Sequence, residues 1–388
     1  MNGKPLAGVR ILDLSRLLPG PFCTLLLADL GAEVIKIEDL EGGDYIRAMA
    51  PFIDGQSAYF LALNPDKKSV SLNLKAPAGR ELFLKLAATA GVVVESFRPG
   101  TVDRLGIGYP AVKSVNPRVV YCSISGFGQD GPDRDRAGHD LDFIARSGLL
   151  GLCGRPDAVP SIPPVQIADL SAAMYAAAGI LAYLREAERT GEGCRLDIGM
   201  LDSTLSWMIM PVAEYSAGER GGRGRLPLSG KHPCYNVYRT RDGRDISLAA
   251  LESKFWCAFC RTVGREDLRP LQFSEKPEDF AKFEALFAGR TADEWKALLD
   301  GTDFCCEVVP SLGEVLEDAQ VKHRGLIIAP PAGTPPIVRP GHPLRNRGAA
   351  PGACPGHGEH TAEVLAELGV SAAEMDDLEA AGVIRRGG

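Results

Sequence analysis

The sequence predicts an α/β fold: a large domain on a parallel sheet, built from both ends of the chain, with a smaller α+β domain inserted between. Three observations predict it. The chain opens on a strand–helix–strand unit, Val9–Leu14, Phe22–Leu30 and Glu33–Glu38, with Gly31 at the helix stop. Val92-Val-Val-Glu95 is apolar on both faces, as strands buried inside a parallel sheet are. After about residue 225 the pattern changes to that of an antiparallel hairpin followed by helices.

Further elements follow in order. Ser69–Leu74 reads as a strand, Pro77–Ala88 as a helix with Pro at its start, and Val119–Ile124 as a strand running into the loop Gly126–Gly131. An Ala-rich helix is predicted over Leu170–Glu188, a strand over Leu196–Met200 and a helix over Asp202–Met210. Residues 219–230, rich in Gly and Arg, read as a loop. Tyr235–Tyr238 and Asp245–Ala249 flank a Thr-Arg-Asp-Gly turn, and helices start at Lys254, Pro277 and Thr291. The end of the chain carries His360–Leu368 and Ala372–Ala381 as helices. The expected domains are 1–225 for the first part of the large domain, 226–318 for the small one, and 319–388 for a segment returning to the large one.

Composition narrows the function classes. The 388 residues are 45% hydrophobic and 24% charged, which excludes a disordered chain. Asp+Glu outnumber Lys+Arg by 50 to 43, a net charge of −7, which argues against a general binder of nucleic acid or anionic membrane. No apolar run approaches the roughly 18 residues that span a bilayer, and the first residues carry no secretory signal. Ten scattered cysteines fit reduced thiols in a cytoplasmic protein. Cys257-x-x-Cys260 has no second pair nearby, so core packing is preferred to a metal site, and no metal is expected. Gly126-x-Gly128-x-x-Gly131 matches a dinucleotide fingerprint, but Pro132-Asp-Arg-Asp-Arg136 follows it in place of a helix. Ser229-Gly230-Lys231 ends like a P-loop, yet Arg225 stands where that motif needs Gly.

Three segments stand out as chemistry-bearing: Gly138-His139-Asp140 before an apolar helix, Asp169 at the start of the Ala-rich helix, and Glu252 just after the hairpin. Each alone also has a structural reading. His139 suits a satisfied structural histidine, Asp169 a helix cap, and Glu252 a first-turn acid.

The whole chain resembles family III of the CoA transferases, the CaiB/BaiF type. The resemblance rests on Pro5-Leu-Ala-Gly-Val-Arg-Ile-Leu-Asp-Leu14, Pro19-Gly-Pro21, Leu27–Glu38, Lys67-Lys-Ser69, Leu72-Asn-Leu-Lys75, Glu95-Ser-Phe-Arg-Pro-Gly100, Asp103-Arg-Leu-Gly106 and Ser125-Gly-Phe-Gly-Gln129, with Asp169. Within that family, Gly138-His139-Asp140 and Glu252 are similar to the branch of the α-methylacyl-CoA racemases. The resemblance implies a Rossmann-like large domain and an intertwined, interlocked homodimer. It implies an acyl-CoA substrate, with coenzyme A part of the substrate and no separate cofactor.

For a racemase, His139 and Asp169 would form the acid/base pair at Cα of a 2-methylacyl-CoA, and Glu252 would fix the imidazole tautomer. The Gly-rich loop and backbone N–H groups at the helix start near Asp169 would stabilise the enolate. In a transferase, the shared Asp169 would instead attack the thioester and form an aspartyl-CoA anhydride. The resemblance gives Arg98 and Arg104 to the CoA phosphates, Lys75 with Leu72 and Asn73 to the adenine region, and Arg136 and Arg16 as further cations. It departs at Asp39, where many members carry an Arg facing the phosphates. It departs again at Leu170–Met174, where a Gly-rich start is common and where bulkier side chains are expected to narrow the acyl pocket.

Overall fold

A computed structural model describes residues 3–346 and 352–387. Six parallel strands form most of the main sheet: β1 (Arg10–Asp13), β2 (Glu33–Glu38), β3 (Lys67–Leu72), β4 (Val92–Glu95), β5 (Val120–Ser125) and β6 (Cys194–Gly199). A seventh, β7 (Ile384–Arg385), joins antiparallel to β3, and the spatial order is β7-β3-β2-β1-β4-β5-β6. The register is continuous across the middle: Leu12 pairs with Ile35 and with Val93, and Val93 with Tyr121.

Alternation along these strands sorts side chains into two cores, because successive residues of a strand face opposite sides. Leu12, Ile35, Val70, Val93 and Tyr121 face helix α1 (Pro77–Ala87) and the terminal helices Thr361–Glu367 and Ala372–Ala380. Ile11, Val34, Val92, Val94, Val120 and Cys122 face the other way, onto the helix Pro19–Asp29 and the long helix Ile167–Thr190. Both sides of the sheet are covered, and this is why Val92-Val-Val is apolar throughout.

The Ile167–Thr190 helix buries a stripe of small residues, Ala168, Ser171, Ala172, Ala173, Ala176 and Ala177, which lets it lie close to the sheet. By length and composition alone it is apolar enough to cross a membrane, contrary to the expectation that no such run exists. Its Ala stripe is instead part of a core. The helix expected over Asp202–Met210 is two helices, Met200–Trp207 and Ile209–Ser216. Pro211 has no N–H to donate, and its ring would clash with the carbonyl of Trp207, so one continuous helix is excluded.

The chain separates into two compact units, Met1–Ser147 with Pro164–Trp207 and Ala319–Gly388, and Gly148–Pro163 with Met208–Asp318. The division differs from a cut after residue 225: it falls at the helix break, and it assigns 148–163 to the second unit. Within that unit a Cβ on Gly224 would stand 2.8 Å from the Pro156 ring, so the Gly224 backbone packs directly on that ring. The second unit has its own sheet, Tyr235–Arg239, Asp245–Ala249 and Cys306–Val308, and an aromatic core in which Tyr238 stacks on Phe287 at 4.7 Å. Cys260 is buried in that core beside Trp256 and Phe259.

Candidate active site

Strand order reverses direction at β1, which has β2 on one side and β4 on the other. Loops leaving the carboxyl ends of such neighbours diverge and open a crevice, the usual ligand site of an open parallel sheet. A cavity of about 590 Å³ lies there. Arg16 and Leu17 line it after β1, Phe97 and Arg98 after β4, and Ser125 and Gly126 at the end of β5. Its remaining wall includes Arg134, Arg136, His139, Asp142, Asp169 and Met200.

A buried network of charges holds these loops. Asp13, at the end of β1, accepts from Thr24 at 2.6 Å and from the Ser15 hydroxyl, and pairs with Lys67 at 3.3 Å. Lys67 also donates to the Pro21 carbonyl, Thr24 and Asn64 at 2.7–2.9 Å. Lys36 donates to the Ser15 carbonyl and pairs with Asp44, both at 2.8 Å. Burial works to raise the Asp13 carboxyl, but Lys36 and Lys67 outweigh it and hold it at about 2. Asp44 then accepts the Leu17 N–H at 3.0 Å, fixing a residue whose φ of 64° is costly for a side chain with a Cβ. So the loop after β1 is pinned from beneath, and Arg16 emerges at a set place.

The loop after β4 is pinned similarly. Glu95 accepts the Phe97 N–H at 2.8 Å, and burial pushes its carboxyl up to about 7. The Ser96 hydroxyl accepts the Arg16 N–H at 3.1 Å and joins the two loops. The Arg16 guanidinium lies 4.6 Å from the Tyr45 ring centre and 5.2 Å from that of Phe97, and pairs with Asp39.

His139 and Asp169 stand on the wall of this one cavity. His139 caps the helix α2 (Asp140–Arg146); its N–H donates to Asp142 at 3.0 Å. Gly138 and Gly126 both lie against the buried Phe143 ring, where an added Cβ would come within 2.6–2.8 Å of ring carbons. That contact explains why glycine precedes the histidine. Asp169 is the third residue of the Ile167–Thr190 helix. Burial, with the Asp140 carboxylate adding to it, pushes the Asp169 carboxyl up to about 7.

The structure places the expected features of the site in different surroundings. The N–H groups of Ala168 and Asp169, expected as donors to an enolate, donate to Asp140 at 2.6 and 3.2 Å. Leu170–Met174 do not line the cavity; Ser171, Ala172 and Ala173 turn into the core, and Met200 lines the cavity instead. Arg16, Arg98 and Arg136 are in the wall, whereas Arg104, Lys75, Leu72 and Asn73 are not. Leu72 is buried in a core, Asn73 ties β3 to the Gly382 carbonyl at 3.0 Å, Lys75 is exposed, and Arg104 donates to Thr101 at 3.0 Å. Glu252 belongs to the second unit, where it stands exposed at the N-cap of Ser253–Thr262 and its side chain caps nothing.

Sequence reasoning missed Tyr45, Phe97 and Arg134 in the wall, and the part of Asp140 beneath it. Tyr45 opens the single 3-10 turn Tyr45–Ala48 and Arg134 sits in a polar loop, both too short for a periodic signal. The two acids Asp140 and Asp142 in one first turn were a legible hint of capping.

Comparison with known proteins agrees with this architecture. The alpha-methylacyl-CoA racemase of Homo sapiens is 34% identical over 387 residues, covering 98% of this chain and 97% of the relative. The succinyl-CoA:glutarate CoA-transferase of Mus musculus is 35% identical over 334 residues, covering 84% of this chain and 76% of the relative. The crystal structure of a CAIB/BAIF family protein from Brucella suis superposes with a TM-score of 0.82 at 29% identity, covering 95% of this chain and all (100%) of that one. With the CoA-transferase family III model matching residues 6–361, and both kinds of relative above 30% identity over more than two thirds of the chain, the chain belongs to CoA-transferase family III.

Proposed function

We propose that this enzyme is an α-methylacyl-CoA racemase or epimerase, moving a proton at Cα of a 2-methylacyl-CoA thioester. The observation that carries the reading is that an imidazole, His139, and a carboxyl held near neutrality, Asp169, share one cavity. Racemisation needs a base on one face of Cα and an acid on the other, each able to exchange roles. Neutral His139 takes the Cα proton and the thioester becomes an enolate. Protonated Asp169 then delivers a proton to the opposite face, and the reverse reaction swaps the roles. A carboxyl near 7 populates both forms at neutral pH, which an ordinary aspartate does not.

By resemblance, Glu252 is assigned the orientation of the imidazole. Arg16, Arg98 and Arg136 suit a substrate with phosphate groups. Coenzyme A enters as part of the substrate, so the reaction draws on no separate cofactor. Exposed Met174, Tyr175, Tyr183, Leu205 and Trp207 on the larger unit suit a homodimer, which we propose to be intertwined. Free thiols throughout the chain suit the cytoplasm.

A second reading is supported by the CoA-transferase relatives: Asp169, whose side chain has no hydrogen-bond partner among the described residues, attacks the thioester and carries CoA to another acid. Incubating a (2R)-2-methylacyl-CoA in D2O without an acceptor acid separates the two. Deuterium at Cα with loss of optical purity is expected. No label at Cα, with CoA passing to added acids, replaces the racemase by the transferase. Binding with neither reaction leaves a non-catalytic acyl-CoA-binding protein.

A further inference from the structure

We propose that Asp140 is a positioning residue of the site: by occupying the end of the helix that carries Asp169, it fixes that helix to His139 and denies the Asp169 carboxylate its natural donors. The inference rests on the acid/base reading of Asp169.

A helix begins with N–H groups that have no partner within it, and a side chain from the residue just before usually takes them. Here that residue, Gln166, makes no such bond. Asp140, 28 residues before Ala168 and on a separate helix, takes them instead: one carboxylate oxygen accepts from Ala168 at 2.6 Å and from Asp169 at 3.2 Å. Asp140 directly follows His139, whose own N–H is held by Asp142 at 3.0 Å. One peptide bond and two hydrogen bonds therefore join the residue bearing the imidazole to the helix bearing the second acid.

The same contact has an electrostatic consequence. A carboxylate in the first turn of a helix normally gains from the free N–H groups and the positive end of the dipole. Those groups are spent on Asp140, and a negative neighbour is left in their place. Two carboxyls share one helix end, so they ionise in sequence. Asp140, holding the donors, ionises first, and its charge then opposes ionisation of Asp169. The other groups facing the cavity are Arg16 after β1, Arg98 after β4, and Arg134 and Arg136 before His139. A cation acts on a carboxyl in the opposite sense, but burial and Asp140 set the direction at Asp169. Tyr45 and Asp142 complete the titratable wall.

Two substitutions separate geometry from charge. Asp140→Asn keeps an acceptor oxygen and removes the charge; Asp140→Ala removes both. The first measurement is the carboxyl titration of Asp169 in the full chain labelled with [13Cγ]Asp, assigned by the signal lost in Asp169→Asn. It needs no turnover. The Asp169 midpoint is expected to fall by about one pH unit in Asp140→Asn, the size of an ordinary neighbouring-charge effect. The second measurement is Cα exchange. Asp140→Ala is expected to lose about tenfold or more in kcat with little change in KM, on the scale of losing one positioning contact, and Asn to restore most of it.

An Asp169 midpoint unmoved in Asp140→Asn overturns the electrostatic part. Asp140→Ala with a lower melting temperature but unchanged kcat and pH profile reduces the residue to an ordinary cap and overturns the positioning part. If Asp140→Ala does not fold, the Asn variant still decides by its titration. If Asp169→Asn retains Cα exchange, the acid/base reading fails on its own, while the titration still reports whether Asp140 controls that carboxyl.

Discussion

The Arg16 guanidinium, in the wall of the crevice where phosphates are expected, lies 3.2 Å from the Asp39 carboxylate. The other oxygen of Asp39 accepts the N–H groups of Glu41, Gly42 and Gly43 at 3.1–3.2 Å, so the acid closes its own turn. Asp39 thus occupies a cation that a phosphate would otherwise use. Asp39→Asn keeps the turn acceptor and releases Arg16. Its KM for an acyl-CoA is expected to fall about two- to fivefold at low ionic strength and to approach wild type at high salt, where exposed charges are screened. A KM that rises in Asp39→Asn would show that the acid assists binding.

Arg98 lines the same cavity, is exposed, and forms no ion pair among the described residues. A cation without an internal partner is available to a ligand. Arg98→Ala is expected to weaken acyl-CoA binding about tenfold, the value of one charge-assisted hydrogen bond, with kcat nearly unchanged. Titration calorimetry at two salt concentrations reads this directly, and equal affinities for the two proteins would remove Arg98 from the binding site.

His139 is exposed at a helix cap whose hydrogen bonds use its backbone. Replacing the ring should therefore leave the fold intact. His139→Ala is expected to lower Cα exchange about 10²- to 10⁴-fold, the usual contribution of a general base, with an unchanged melting temperature. Substantial residual exchange would give the base role to another group.

Asp169 should impose a stability cost. Its carboxyl rises from 3.8 to about 7 on folding, so between those pH values the folded chain keeps a proton that the unfolded chain has lost. Stability contributed by this group therefore falls as pH rises through that window, and the full cost stands above about 7. Asp169→Asn, inactive by the proposed chemistry, is expected to melt a few degrees higher than wild type at pH 8, on the order of 1–3 kcal/mol. The gain should disappear near pH 4, and a thermal scan at both pH values checks it.

Glu38 is buried at the end of β2 and pairs with Arg47 at 2.7 Å, beneath the turn that carries Asp39. Burial works to raise this carboxyl, yet the Arg47 bond and charge hold it down at about 2 against an ordinary 4.5. The stability it contributes is complete above pH 4.5 and is lost as pH falls toward about 2. Arg47→Met leaves the buried carboxylate without its cation and is expected to cost about 3–5 kcal/mol at pH 7. The difference from wild type should shrink under acid, as denaturant titrations at pH 7 and pH 3 would show.

The sequence by itself determined the parallel sheet and its order of strands and helices, because Val, Ile and Leu at strand spacing and apolar runs at helical spacing are local signals. Val92–Glu95 and Glu33–Glu38 are strands with the bounds read from their residues. It also singled out His139 and Asp169, through residue type and resemblance. Only the tertiary structure decided what depends on partners far apart in the chain. Pro211 divided a helix once its ring had to clear the preceding turn. The two-residue strand Ile384–Arg385 exists only because β3 presents an open edge to it. Leu72 turns into a core and Asn73 ties β3 to the Gly382 carbonyl, placements set by neighbours distant in the chain. Asp140 reaches the end of a helix that begins 27 residues later, and no periodicity announces a hydrogen bond made across that distance. Local preference writes the elements, whereas burial and unpaired N–H groups, which exist only once the elements meet, decide which side chains remain free for chemistry.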